Sequence, residues 1–343
     1  MSFLRYLRRV LSQVRFSSAS QKQVEWRSFP CLSEEELNEI KYFFPRKKFF
    51  VFGHARSGTT LLARLIRVHP KIHCNWQAHF FTRPPFLQSL VSNDQVREWL
   101  SRRSNRWNRG KDLSPVVLRV VADFILEREA NLLNKTIVGD KSPNNLTNGE
   151  AVQRLHCVYP DASLIYIVRD GRDAVLSHRI QSFIDLEDRL TPEESRIRER
   201  FIRSPLAFVE GKESLFSSSS IKAMAKAWSE NVIQTNDYGK ALFADRYYAL
   251  RFEDLLDRPW ETMRSLWEFL GAEVSDEELQ ATLLKELSEN PDAEWQASKS
   301  REIVQWLPKG QRGTWRKVFT LQDRRIFWEE AGKTLQAWGY PQE

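Results

Sequence analysis

The segment Gly53-His-Ala-Arg56-Ser57-Gly58-Thr59-Thr60 carries the two-glycine spacing of a phosphate-binding loop, set between an apolar run and a segment patterned as a helix. Successive backbone N–H groups in such a loop form a nest for an anion, and the start of the following helix adds positive potential. Nucleoside-triphosphate hydrolases put a lysine after the second glycine to contact the outer phosphates. This chain has Thr59 there, and its charge comes instead from Arg56 inside the loop, with Thr59 and Thr60 as hydroxyl donors. Such a loop suits one phosphate bearing a transferable group better than a polyphosphate with magnesium.

A second anion contact is expected in Ile165-Tyr-Ile-Val-Arg169-Asp-Gly-Arg-Asp-Ala-Val-Leu-Ser177. Arg169 ends an apolar run and Ser177 follows eight positions later, about a turn and a half into the next helix, so guanidinium and hydroxyl can share one anion. A surface turn held by ion pairs is the competing reading. Near the C-terminus, Lys309-Gly310-x-x-Gly313-Thr-Trp315-Arg316-Lys317-x-Phe319-Thr320 is a glycine loop with basic residues, which taken alone also fits a solvated loop. For proton transfer, His73-Cys-Asn-Trp-Gln77-Ala-His79 offers His79, whose ordinary pKa suits a general base. If this piece is extended, Gln77 and His79 face one side. The alternatives are a carboxylate from a helical insertion, or a His79 that is only buried and hydrogen-bonded. His69 and His73 have i, i+4 spacing but straddle Pro70, so they read as loop residues, and no metal-ligand set is recognised.

These residues need strands to aim them. Phe49–Gly53 reads as a strand and Thr59–Val68 as a helix stopped at His69-Pro70. Further strands are expected at Thr136–Gly139, Ala162–Val168 and Arg246–Phe252, with helices at Ala151–Cys157, Asp173–Ile180 and Pro259–Leu270, the last capped by Asp257. That alternation implies an α/β fold, a mostly parallel sheet flanked by helices, with ligands at the carboxyl ends of the strands. Gly53, Asp140, Arg169 and Phe252 all fall at those ends. Polar, tryptophan-bearing segments at about 84–134 and 186–238 read as helical lid insertions over the sheet edge. The expected division is a basic N-terminal extension, 1–45, and a single domain, 46–343.

The chain has 343 residues, 41% hydrophobic and 28% charged, which fits a soluble globular protein. A formal charge of +7 points to an anionic partner, and the scatter of the basic residues favours a small ligand over a polymer. No run approaches the roughly 20 apolar residues of a membrane-spanning helix. Cys31, Cys74 and Cys157 show no close pairing and read as reduced thiols in an intracellular compartment. Met1 to Ser20 carries Arg5, Arg8, Arg9 and Arg15 without an acidic residue, and Phe3, Leu4, Leu7, Leu11 and Val14 recur at helical spacing. Three readings fit: an organelle transit peptide, a basic helix making weak membrane-surface contact or binding a partner, or a solvated extension. The expected location is the cytoplasm, or an organelle matrix if residues 1–20 are a transit peptide.

Together the motifs resemble the family of sulfotransferases that use PAPS (3′-phosphoadenosine-5′-phosphosulfate). Arg56-Ser-Gly-Thr-Thr-Leu-Leu is similar to its 5′-phosphosulfate loop, in the arginine form of tyrosylprotein and many bacterial sulfotransferases. Arg169 through Ser177 resembles its 3′-phosphate site. Lys309 through Thr320 resembles its K-G-x-x-G-D-W-K-x-x-F-T segment, which closes over the 3′-phosphate. Here Pro308 replaces a leading arginine and Thr314 an aspartate, leaving Lys309, the Gly310 N–H or Arg316 to supply that contact. Tyr248-Ala-Leu-Arg-Phe-Glu253-Asp254-Leu255 is similar to a late family strand, with Phe252 where tyrosine is usual.

The resemblance spans about 46–320 and implies a P-loop-like sulfotransferase architecture. It assigns PAPS binding to Arg56, Ser57, Gly58, Thr59, Thr60, Arg169, Ser177, Lys309 and Gly310, and a catalytic part to Lys141 and Arg56; His79 is the catalytic base expected from its own residue type and position. Lys141, in Asp140-Lys-Ser-Pro143, resembles the lysine that stabilises the bridging oxygen in tyrosylprotein sulfotransferases; the competing reading is a surface lysine beside a helix cap formed by Ser142. Those enzymes carry a catalytic glutamate at the position matching Gln77. An amide cannot take up the proton, which shifts the expectation to His79. The implied reaction moves a sulfuryl group from PAPS to an acceptor hydroxyl or amine by in-line displacement, leaving adenosine 3′,5′-bisphosphate and needing no metal. The expected acceptor is a small molecule or glycan. The rivals are a P-loop small-metabolite kinase, which the missing lysine opposes, and a degenerate domain that binds nucleotide without turnover. A basic nucleic-acid-binding protein comes third, with no recognition motif behind it.

Overall fold

The computed structural model describes residues 30–274, 277–289, 301–306 and 310–343. The expectations for residues 1–20, and for Pro308 and Lys309, lie outside them. Five strands, β1 Lys47–Phe52, β2 Ile72–Trp76, β3 Ile137–Lys141, β4 Ser163–Val168 and β5 Tyr247–Arg251, make one parallel sheet in the order β2-β3-β1-β4-β5. The helices used below are α1 Glu34–Phe43, α2 Thr59–Arg67, α3 Asp94–Ser101, α4 Ser114–Leu132, α5 Glu150–Val158, α6 Gly171–Asp185, α7 Pro192–Arg203, α8 Ser218–Phe243, α9 Pro259–Phe269, α10 Glu277–Ser288 and α11 Leu321–Ala337.

Central β1 shows why the sheet is covered on both faces. Phe49 and Val51 pack into one core with Leu62 and Ile66 of α2 and Trp267 of α9, while Phe50 and Phe52 pack into the other with Leu118 of α4, Leu155 of α5 and Trp228 of α8. Successive side chains point to opposite faces, so a strand buried on both reads as an unbroken apolar run. β4 repeats the division, with Ile165 and Ile167 on the first face and Leu164, Tyr166 and Val168 on the second.

Several expectations are corrected. The start of the His73–His79 piece, assigned to no strand above, belongs to β2, an edge strand pairing with β3 from Ile72↔Ile137 to Trp76↔Lys141. His73 is therefore a buried strand residue, 3.5 Å from Glu129, and not a loop residue. Asp257 does not cap α9: Arg258 precedes the helix without a side-chain cap bond, and Asp257 pairs with Arg312. The segments read as lids contribute much of a helical layer. α4 packs on β2 and β3, and α8 packs along α11 and against α5, α6 and β4, with Trp228 fully buried. The N-terminal boundary also moves. α1 opens on a capping box between Ser33 and Glu36 and packs on α4, so the folded region begins before residue 46. Finally, Cys31 and Cys157 lie with their sulfurs 2.8 Å apart across 126 positions of sequence, a pairing that linear spacing concealed.

Candidate active site

The phosphate loop leaves the end of β1 and turns into α2. A Cβ on Gly53 would sit 2.7 Å from the carbonyl oxygen of Ile167, so β1 and β4 approach closely there only because residue 53 is glycine. Arg56 and Gly58 both have left-handed backbone, φ 68° and 89°. A Cβ on Gly58 would lie 2.2 Å from the Phe252 ring, so this position also needs glycine. The loop is tied down by Ser57 N–H to His54 O (3.0 Å), Ala55 N–H to Asn145 Oδ1 (2.9 Å) and Arg169 Nη1 to Arg56 O (3.0 Å). α2 starts with no side-chain cap, and Gly58, Thr59 and Thr60 line the cleft, so the first-turn N–H groups are left for a ligand.

Two guanidiniums meet at this loop. Arg56 Nε donates to Ser177 Oγ at 3.0 Å, and Arg169, 3% exposed, lies 4.8 Å over the Phe252 ring and donates through Nη2 to Gln311 O at 2.8 Å. Burial pulls the Arg169 pKa down, and the nearby Asp173 and Glu253 carboxylates oppose that. Buried Ser57 Oγ and Arg169 Nε have no hydrogen-bond partner among the described residues. Buried polar atoms are almost always paired, so these two are spare capacity for the oxygens of an anion.

The C-terminal glycine loop closes against the same wall. Asp173 accepts from the N–H groups of Gly313 (2.6 Å) and Trp315 (3.0 Å), and Arg172 stacks 3.7 Å from the Trp315 ring while pairing with Asp170. Glu253 accepts from Asp170 N–H (3.1 Å) and Tyr340 O–H (2.8 Å), which fixes the start of α6 behind Arg169. Gly310, at φ 74°, reaches the cleft. Arg316, one of three alternatives for the missing cationic contact, lines a separate cavity of about 390 Å³ with Lys317 and Arg324, while Gly310 lines the cleft. Asp173 was not singled out from sequence as a site residue; its available signal was an acid four residues after Arg169 in a helix first turn. Burial pushes its carboxyl up to about 6. Replacing Asp173 with Ala leaves the half-buried Gly313 N–H and the buried Trp315 N–H without their acceptor, so amide hydrogen exchange at both is expected to accelerate roughly tenfold or more while the β1 and β4 amides stay protected. Unchanged exchange at both would detach Asp173 from this role.

The facing wall comes from β2 and β3. Lys141 closes β3 fully buried, its Nζ 3.2 Å from Thr60 Oγ1 and 5.1 Å from the centre of the Trp76 ring. It is not a surface lysine, and Ser142 is not a helix cap: Gly149 precedes α5, and Ser142 donates to Asp140 while accepting from His79 N–H. Asp140, pushed up to about 6 by burial, also accepts from Ala78 N–H. The segment after β2 is not extended, since Gln77 and His79 have φ 53° and 52°. Their side chains still meet, with Gln77 Oε1 3.4 Å from His79 Nε2 and Thr82 Oγ1 2.7 Å from His79 Nδ1. Burial, then the charges of Arg83 and Lys141, push the His79 pKa down to about 4, so its imidazole is neutral near pH 7.

The cleft between these walls holds about 800 Å³. Of the expected site residues, Arg56, Gly58, Thr59, Thr60, His79, Arg169 and Gly310 line it. Ser177 and Lys141 stand behind that lining, bonded to Arg56 and Thr60, and Ser57 lies buried within the loop. Gln181, Ser182, Asp185 and the end of α10 complete the mouth; helical context alone gave no reason to single them out.

Residues 48–276 match the family model described as the sulfotransferase family. The chain is 25% identical over 244 residues to the protein-tyrosine sulfotransferase of Drosophila melanogaster, covering 70% of this chain and 41% of that protein. It is 28% identical over 133 residues to protein-tyrosine sulfotransferase A of Caenorhabditis elegans, covering 37% and 32%. The matches thus span less than half the length of these curated relatives. Among solved structures, a mouse sulfotransferase complexed with PAP is 17% identical with 89% of each chain covered and a TM-score of 0.45. The sulfotransferase domain of a Synechococcus olefin synthase is also 17% identical, with 86% of this chain and 96% of that one covered and a TM-score of 0.46. With both scores below 0.5, the fold rests on the strand order and loop geometry described above. The family match covers well over half of the sequence, and the chain belongs to the sulfotransferase family.

Proposed function

We propose that this chain transfers a sulfuryl group from PAPS to an acceptor hydroxyl or amine by in-line displacement. The observation that carries this reading is the junction of Arg56 with Ser177 and Arg169. The loop and the start of α2 offer one anion subsite, and Arg169 with Ser177 offers a second beside it. A donor with separate 5′- and 3′-phosphates uses both. ATP chemistry would use the loop and a lysine, where Thr59 stands. The activity named for the two animal relatives supports sulfuryl transfer as the reaction class.

In this reading His79 takes the proton from the acceptor O–H or N–H. The acceptor lone pair forms the new bond to sulfur while the bond from sulfur to the 5′-phosphate oxygen breaks, and that oxygen keeps the electron pair. Lys141 and the N–H groups of Gly58, Thr59 and Thr60 offset the charge gathering there, and preorganised cations and dipoles of this kind supply most of the rate. A sulfuryl group carries less charge than a phosphoryl group, so side-chain cations suffice. Gln77, Thr82, Arg83, Gln181, Ser182 and Asp185 give the acceptor end a polar lining, which suits a small polar molecule or a glycan.

Thermal unfolding with adenosine 3′,5′-bisphosphate tests the proposal. Without magnesium, ligand at a hundredfold over Kd is expected to stabilise by about 2.7 kcal/mol and raise Tm by several degrees. Stabilisation by ATP with magnesium alone would overturn the proposal in favour of a kinase. Binding without transfer of labelled sulfuryl to any of a broad set of acceptors would favour a domain without turnover.

A further inference from the structure

Two cysteines outside the cleft lie against each other. Cys31, just ahead of α1, is exposed, and Cys157, in the last turn of α5, is 8% exposed. Their sulfurs are 2.8 Å apart, and Cys157 Sγ also lies 3.9 Å from Pro30 O. The approach is held from both sides. Leu32 is buried beside Cys31, and α1 is anchored by its packing on α4 and by Lys41 Nζ to Asp161 at 3.2 Å. Small side-chain rotations bring such a pair to the bonded distance of about 2.05 Å.

We propose that Cys31 and Cys157 are a modification site, an intramolecular disulfide made by exchange with a small-molecule disulfide such as oxidised glutathione. The Cys31 thiolate attacks one sulfur of the oxidant, forming a mixed disulfide and releasing one glutathione, which takes up a proton. Cys157 then gives up its proton and attacks the Cys31 sulfur, releasing the second glutathione as a thiol. Two cysteine thiols lose two electrons and two protons, and one disulfide is reduced to two thiols. Exposure makes Cys31 the sulfur that meets the oxidant first. Cys157 is poorly placed for that step, since burial and the neighbouring thiol push it up to about 12.

The consequence follows from where α5 runs. It leaves the carboxyl edge of the sheet after β3 and returns to the amino edge, where β4 begins at Ser163. Cys157 therefore lies at the edge opposite the cleft, and the bond fastens the entry to α1 onto α5 without touching the site. A link closing so long a loop constrains the unfolded chain, and stability rises.

The test equilibrates the full chain in glutathione buffers from reducing to oxidising, followed by acid quench, maleimide labelling and peptide mass mapping. Expected is a product two hydrogens lighter, with the Cys31 and Cys157 peptides joined, buried Cys74 unlinked and Tm raised by several degrees. Cys31→Ser, a change at an exposed position, should abolish both the link and the gain in Tm. Cys157→Ser should leave Cys31 trapped as its glutathione adduct, and if that variant does not fold, Cys31→Ser decides. A lasting glutathione adduct on wild-type Cys31 with Cys157 free would overturn the proposal. So would a link through Cys74, or three free thiols across the whole series.

Discussion

Replacing Lys141 with methionine is expected to lower kcat for sulfuryl transfer by roughly a hundredfold to a thousandfold, while binding of adenosine 3′,5′-bisphosphate changes by only a few fold. Lys141 is fully buried at the end of β3, and its Nζ reaches Thr60 Oγ1 from the wall opposite Arg56 and Ser177. A buried ammonium is costly to desolvate, so keeping one at this place is hard to explain by stability. Its Nζ stands beside the Thr60 hydroxyl at the start of the phosphate loop and near the face of Trp76, where charge would collect on a leaving phosphate oxygen. Methionine keeps the length and apolar contacts while removing the charge. A structural lysine would reveal itself as a fall in Tm with kcat preserved. A catalytic one gives the reverse, an unchanged or raised Tm with kcat lost. Turnover within about fivefold of wild type, measured with labelled donor, would remove Lys141 from the chemistry.

What was legible in the sequence was what is local along the chain. β1 and β4 could be read because strands buried on both faces appear as unbroken apolar runs, and the loop and the Arg169–Ser177 pair each fit within a dozen or so residues. β2 escaped because Ile72-His-Cys-Asn-Trp76 is half polar. Its polar side chains meet groups distant in sequence, Asn75 donating to Leu126 O and Gly139 O, and His73 lying 3.5 Å from Glu129. The same limit hid the tie from Asp173 to Gly313, 140 positions away, and the meeting of Cys31 with Cys157. α8 was read as part of a lid because its packing partner, α11, follows some eighty residues later. The juxtaposition of Gln77 and His79 was anticipated from a wrong premise. Left-handed backbone at two residues that are not glycine leaves no mark in composition, and alternation in an extended chain does not apply.

Replacing His79 with Ala is expected to reduce turnover by roughly a hundredfold or more while sparing donor binding, the size of effect that loss of a positioned base produces. The pH profile separates this role from a packing role. Protonated imidazole cannot accept the acceptor proton, so kcat/KM falls as pH drops through the His79 pKa. Burial, Arg83 and Lys141 hold that pKa near 4 in place of the ordinary 6.5. The acid limb of kcat/KM is therefore expected near pH 4, with a flat profile across the range where an unperturbed histidine would titrate. Arg83→Gln removes one of the opposing cations and should move the limb upward, whereas a residue acting only through packing would lower the whole curve without moving it. The base-competent tautomer keeps its proton on Nδ1, donated to Thr82 Oγ1, and leaves the Nε2 lone pair for the acceptor proton, which requires the Gln77 amide to turn its N–H2 end, in place of Oε1, toward Nε2. Thr82→Val removes that acceptor, so kcat should fall while the Kd for adenosine 3′,5′-bisphosphate holds. Near-normal turnover in H79A, or an acid limb that keeps its place when Arg83 is neutralised, would assign the base to another group in the cleft.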